Sequence, residues 1–180
     1  MLKFRGCAQF RQRLVLATLA GRRLRVDGIR DRDPEAPGMR DFEASFLRLL
    51  DKLTNGCRIE INETGTSLRY TPGVIVGGAL EHDCGSGRAM GWFVEGVLPL
   101  LPFAKKPATL ALSGITNDDL DISVDLLRTV TLPTLVHFGI GEGCVQREER
   151  GAGARRRVQQ WEPHLFNTSP LPRPAACRSS

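Results

Sequence analysis

One pattern occurs twice along this chain, and it narrows the available folds more than any single motif. A helix, a short strand, a polar loop and a longer helix run from Phe10 to Thr54. The same order returns between Arg88 and Phe138, about 80 residues later. In this alignment Leu24 to Ile29 corresponds to Thr109 to Ser113, and Phe42 to Leu53 corresponds to Val124 to Leu135. The order predicts an α/β chain with an internally repeated unit.

Each element has a physical signature. Phe10, Leu14 and Ala17, with Leu16 and Leu19 nearby, form an apolar stripe at helical spacing, and Gly21 stands where a helix stops. In "RRLRVDGI", Leu24 and Val26 point one way and Arg23 and Arg25 the other. "RDRDPEAPG" reads as a loop. From Arg40 to Thr54, residues Phe42, Phe46, Leu49, Leu50 and Leu53 mark one helix face, and Asn55-Gly56 ends it. "CRIEIN" and "SLRYT" alternate around Glu63-Thr64-Gly65, a hairpin signal. In the second half, Arg88 to Leu101 predicts a helix, "ATLALSG" a strand, and Ser123 to Phe138 a helix bent or broken at Pro133.

Gly77 and Gly78 follow a short apolar run, Val74 to Val76. A phosphate-cradling loop places its glycines at a helix N-terminus, where free N–H groups face the anion. Here another strand-like run, "ALEHDC", comes first, so the glycine pair is expected to manage a crossing from one unit to the next.

After Gly143 no period is sustained, and the remaining stretch is rich in Arg, Gly, Pro and Ser. It is expected to be a disordered basic tail where the second unit should continue with a strand pair, so the chain reads as truncated within that unit. The expected organisation is a first unit over 1–79, a partial second unit over 80–143 and a tail over 144–180.

Charge is unevenly placed. The chain has a formal net charge of +5 over 180 residues. Seven Arg against three Glu from Cys144 onward hold four of those five charges. The first 143 residues are therefore nearly neutral, and any affinity there for nucleic acid must come from local patches. Five cysteines at wide spacing, with no C-x-x-C pair, predict neither a zinc site nor a disulfide framework. No apolar run is long enough to span a membrane, and Arg5, Arg11 and Arg13 interrupt the start where a signal peptide needs an apolar stretch.

Four stretches carry a family likeness: "RQRLVLATLAG", "PGMRDFEASFLRLLDKLTNG", "GTSLRYTPGVIVGGALEHDCG" and "LSGITND" with "SVDLLRTVTLPTL". Together, over residues 6–141, they resemble the RNA 3′-terminal phosphate cyclase family, and within it the eukaryotic cyclase-like branch. The resemblance implies a layered α/β (α+β) fold of repeated units, each a small sheet backed by two helices. This chain would hold one complete unit and part of a second.

True cyclases, by the same resemblance, use ATP to activate an RNA 3′-phosphate and carry the nucleotide on a histidine near the C-terminus. His82, His137 and His164 do not match it. The opening "RGCAQFR" keeps Gly6 but has Arg5, Cys7 and Ala8 where cyclases have further glycines and a Gln. Bulky side chains there block close backbone approach to phosphate. After Pro37-Gly38-x-Arg40, cyclases carry Gln-His; here Asp41 and Phe42 stand instead.

No catalytic residue, metal ligand or cofactor is expected. Arg11 and Arg40 match family arginines near the nucleotide or RNA end, and read either as phosphate ligands or as surface arginines of helix starts. Arg23 and Arg25 share a strand face, with Arg22, Arg30 and Arg32 close in sequence. They read either as an RNA patch or as a solvated face partly neutralised by Asp27, Asp31, Asp33 and Glu35. "TNDDLD" reads as metal ligands or, preferably, as helix caps.

The resemblance implies a nucleolar factor of the early small-subunit processome without cyclase activity. Its partners would be pre-rRNA, snoRNP components and a nucleolar GTPase, with neither DNA nor membrane. An endonuclease role has been suggested for the branch the chain resembles, and no residue here points to one. The alternatives are an ATP-dependent RNA 3′-phosphate cyclase and an inactive truncated isoform.

Overall fold

Two four-stranded sheets of the same topology carry the molecule. They are seen in a computed structural model that describes residues 1–106 and 108–138 together with the strands at 144–148 and 159–163. The first sheet has the order β1-β2-β5-β4, built from β1 (Leu2–Arg5), β2 (Leu24–Asp27), β4 (Arg58–Ile61) and β5 (Leu68–Thr71). β1 and β2 are parallel, and β5 and β4 add antiparallel. The second sheet has the order β7-β8-β10-β9, from β7 (Gly78–Asp83), β8 (Ala108–Ser113), β9 (Cys144–Glu148) and β10 (Gln159–Pro163). Again the first pair is parallel and the next two pairings are antiparallel.

The repeat predicted from element order is thus present at the level of hydrogen-bonded topology. One expectation is corrected. The stretch after Gly143, expected to lack a strand pair, supplies β9 and β10. β8 would otherwise expose a row of unpaired backbone groups, and β10 takes that edge. Five-residue strands without apolar alternation carry too little periodicity to be visible in sequence. The rest of the 144–180 segment, with the arginines at 155–157 and His164, lies outside the described residues.

Helices cross between the parallel strands. α1 (Phe10–Leu19) joins β1 to β2 and ends at Gly21. There φ is +61°, with the amides of Gly21 and Arg22 donating to the carbonyls of Thr18 and Ala17. α2 (Asp41–Leu53) follows β2; α3 (Met90–Val97) joins β7 to β8. The last helical stretch is α4 (Val124–Leu126), a π-helical segment over Leu127–Thr131, and α5 (Leu132–His137). Pro133 has no N–H and its ring would press on the carbonyl four residues back. The Leu132 amide bonds instead to Leu127, which widens the turn and lets the helix continue.

The glycine pair does manage the crossing. The short strands β3 (Thr54–Asn55) and β6 (Val74–Ile75) pair just before it. Gly77 and Gly78 then take φ of +78° and +103°. A Cβ on Gly77 would collide with the Lys106 carbonyl, so the close approach requires glycine.

One apolar core serves both units. Leu14, Phe46, Leu50 and Leu53 of the first half pack in the same cluster as Phe93, Val97, Leu110 and Leu112 of the second. The described helices face this layer, and no described element covers the other face of the first sheet.

Candidate nucleic-acid interface

Strand alternation decides what lies on that open face. In the first sheet the rows Leu2–Leu24–Tyr70–Ile59 and Phe4–Val26–Leu68–Ile61 face the helices. Leu24, Val26, Leu68 and Tyr70 of these are fully buried. The intervening row reads Lys3–Arg25–Arg69–Glu60, one residue from each strand. Beside it, Arg58 pairs with Thr71, and Arg23 falls on the same side by alternation. Arg5 and Asp27 form the flanking row. The face therefore holds six cations and two acids.

Acids offset only part of this charge. Arg25 donates through Nε to both Asp27 oxygens, at 3.0 and 2.7 Å, and this bond holds the guanidinium more firmly charged. The Asp27 carboxyl is held below the ordinary carboxylate range by Arg25 first and by the Ser67 hydroxyl next. Arg69 lies 3.8 Å from Glu60, and Arg5 3.7 Å from Asp31 on the rim, both pairs well exposed. Such pairs contribute little in water. Lys3, Arg23 and Arg58 make no ion pair among the described residues.

The second sheet provides an internal comparison. On its open side β7 and β8 present Ala79–Thr109, Glu81–Ala111 and Asp83–Ser113. β7 and β8 carry two acids and no cation on that side, so the parallel strand pair forms there without basic residues.

The four arginines singled out in the sequence do not converge. Arg23 and Arg25 share the open face. Arg11 is buried in the helical layer, where it donates to the Trp92 carbonyl and to Glu95, and its guanidinium lies 5.0 Å from the Trp92 ring. It joins α1 to α3 across the two units. Arg40 precedes α2; its side chain bonds Asp33 at 3.0 Å, and its amide donates to Glu43 at 2.9 Å. Phe42, in the position after Asp41, packs edge-on to Trp92 at 5.2 Å and lies under the Arg88 guanidinium.

Sequence reasoning missed two buried pairs. Arg30 clamps Glu43 with both terminal nitrogens, at 2.7 and 2.9 Å, and holds the loop before α2 onto that helix. Arg88 grips Asp121 in the same forked way, tying the "TNDDLD" loop to the start of α3. In that loop the acids accept backbone N–H bonds: Asp118 from Leu120 and Asp121, and Asp121 from Ala89. The Asp118 bonds close an Asx turn within the loop, Asp121 caps the amide before α3, and Ser123, not an acid of this loop, is the N-cap of α4. No cluster of potential metal ligands occurs among the described residues, and no described helix is long and apolar enough to cross a membrane.

His82 is buried, with Nε2 at 2.9 Å from the Ser45 hydroxyl of α2. Burial, with Lys52 adding to it, pushes its pKa down to about 4, so the ring is neutral at physiological pH. It joins α2 to the second sheet.

A family model described as RNA 3′-terminal phosphate cyclase matches residues 2–155. The chain is 54% identical over 146 residues to a probable RNA 3′-terminal phosphate cyclase-like protein of Dictyostelium discoideum, covering 81% of this chain and 39% of that protein. It is 55% identical over 139 residues to the RNA 3′-terminal phosphate cyclase-like protein of Homo sapiens, covering 77% and 37%. It is 42% identical over 149 residues to the rRNA processing protein RCL1 of Saccharomyces cerevisiae, covering 83% and 40%. The chain spans about two fifths of the length of these relatives. On the match over residues 2–155 and these identities, the chain belongs to the RNA 3′-terminal phosphate cyclase family.

Proposed function

We propose that this chain acts in ribosome biogenesis, supporting early pre-rRNA processing toward small-subunit rRNA in the nucleolus, and that it does not cyclise RNA ends. Its partners in this role are pre-rRNA, snoRNP components of the small-subunit processome and a nucleolar GTPase. Relatives named for rRNA processing in two yeasts support the biological role.

The observation that carries the non-cyclase part is the use made of the Pro37–Phe42 segment. Arg40 is paired with Asp33, Asp41 stands in the first turn of α2, and Phe42 is absorbed into the aromatic packing around Trp92. Where the family resemblance places a polar Gln-His pair, this chain has a carboxylate that repels phosphate and a ring with no proton to transfer.

Two measurements test the proposal. Incubated with labelled ATP and a 3′-phosphorylated RNA, the chain is expected to form neither a protein–AMP adduct nor a cyclic end; a covalent adduct overturns the non-cyclase assignment. In cell extracts the expressed chain is expected to co-sediment with small-subunit precursors, and its absence from those fractions overturns the ribosomal role.

A further inference from the structure

We propose that the open face of the first sheet is a binding surface for the sugar–phosphate backbone of double-stranded RNA, read by charge and not by base identity. The choice of RNA as partner rests on the ribosome-biogenesis role; the surface itself is argued from the sheet.

Three cations in one cross-strand row are costly. Lys3, Arg25 and Arg69 are directly opposite one another on adjacent strands, which are spaced ~4.8 Å apart. Like charges directly opposite destabilise a sheet. The second sheet has the same strand order and directions with no cation on β7 or β8 of the corresponding side. The parallel strand pair therefore forms without cations on that side, and a polyanion is the partner that relieves the repulsion within the basic row. The placement is also concentrated: six cations against two acids occupy this one face, while the first 143 residues together are almost neutral.

The same face lacks what single-strand recognition needs. Splayed bases are bound by stacking on exposed aromatic rings. The aromatic residues of this sheet, Phe4 and Tyr70, lie in the rows that face the helices. Tyr70 is buried with its hydroxyl 2.8 Å from that of Thr18, and Phe4, partly exposed on the helix side, has the Arg13 guanidinium stacked on its ring. Guanidinium and ammonium groups alone address phosphate oxygens, which position a duplex without reading its sequence.

The test uses the whole chain and compares variants, because the basic 144–180 segment adds its own attraction in every case. Lys3, Arg23 and Arg58 are exposed and have no ion-pair partner among the described residues. The triple variant Lys3→Gln, Arg23→Gln, Arg58→Gln removes them. Binding is measured by fluorescence anisotropy on a mixed-sequence RNA duplex of about 20 base pairs and on oligo(U), over a salt series. The triple variant is expected to bind the duplex at least tenfold more weakly. Its slope of log K against log salt should be shallower by about 2–3, near the ~0.9 expected per phosphate contact. Lys3→Arg with Arg23→Lys and Arg58→Lys should retain both quantities, and Glu81→Gln with Asp83→Asn on the second sheet should not weaken binding.

An unchanged affinity and slope in the triple variant overturns the inference. So does tighter binding of oligo(U) than of the duplex, or equal competition by poly-glutamate of matched charge, which would assign the face to an acidic protein. These outcomes are independent of the sedimentation test: wild-type chain found with small-subunit precursors while the triple variant binds duplex normally leaves the ribosomal role standing and removes only this surface.

Discussion

Gly96 offers a test of the seam between the two units, because two opposing effects of known size meet there. In an isolated helix, replacing an interior glycine by alanine favours folding by about 1 kcal/mol. At Gly96 of α3 an added Cβ would stand 2.6 and 2.7 Å from Cε2 and Cζ of Phe46 and 2.9 Å from Cδ of Arg11. Neither neighbour is free to yield. The Phe46 ring is fully buried and packed at 5.3 Å against Trp92 and 6.4 Å against Phe93. Arg11 is held by Glu95 and the Trp92 carbonyl. Overpacking of a closed core costs about 1–3 kcal/mol, and two pinned neighbours place this site at the upper end. Gly96→Ala is therefore expected to lose about 1–2 kcal/mol net, a fall in Tm of roughly 3–8 °C for a fold of this size. Thermal and urea unfolding measure it. In a Phe46→Leu background the shorter side chain makes room, and the same Gly96→Ala change should become neutral or stabilising. The double-mutant cycle then yields a coupling of about 1–2 kcal/mol. A wild-type background in which Gly96→Ala raises Tm would refute the packing described here.

Three further outcomes follow from other sites. Gly77→Ala should destabilise the chain by about 1–3 kcal/mol in urea melts, since both the positive φ and the Lys106 carbonyl oppose a side chain. Glu43→Ala should cost about 3 kcal/mol, because it strands the half-buried Arg30 guanidinium and leaves the Arg40 amide without its acceptor, while Glu43→Gln should cost less. His82 has a folded pKa of about 4 against an ordinary 6.5. Between those values the unfolded chain takes up a proton that the folded chain refuses, so stability falls as pH drops from 6.5 toward 4, by an amount on the order of 3 kcal/mol. His82→Gln should flatten that part of the pH dependence relative to wild type in urea midpoints.

Much of this architecture was legible in the sequence, and the omissions share one cause. α2 is marked by five apolar residues at helical spacing, and the alignment of Leu24 with Thr109 and of Phe42 with Val124 matches the repeated topology. β1 went unread although Leu2 and Phe4 alternate with Lys3 and Arg5, because four residues of alternation weigh little beside a charged N-terminal run. β9 and β10 have no alternation to read. On the site, Arg23 and Arg25 were visible as one strand face, but Lys3, Arg58 and Arg69 join them only through cross-strand register, a long-range property that local periodicity does not carry. The acids expected to neutralise the patch divide: Asp27 does bind Arg25, whereas Asp33 is taken up by Arg40 in the loop.

Two copies of one scaffold in a single chain separate what the fold needs from what it does not. Both sheets share strand order and pairing directions, and β2 and β5 of the first and β8 of the second place their helix-facing apolar residues in one core. Arg11, Phe42, Trp92 and Arg88 are used up in joining the units. They lie in the helical layer, on the opposite side of the first sheet from Lys3, Arg25 and Arg69. Stability and RNA attraction should then be separable. Removing exposed cations from the open face ought to leave the urea midpoint unchanged or raise it, since cross-strand repulsion is relieved. Gly96→Ala, in contrast, ought to lower the midpoint while the molecules that remain folded keep the wild-type salt slope. A face variant that unfolds the chain, or a seam variant that alters the slope at full folding, would show that the two sides of the sheet are coupled and that the basic row contributes to the fold after all.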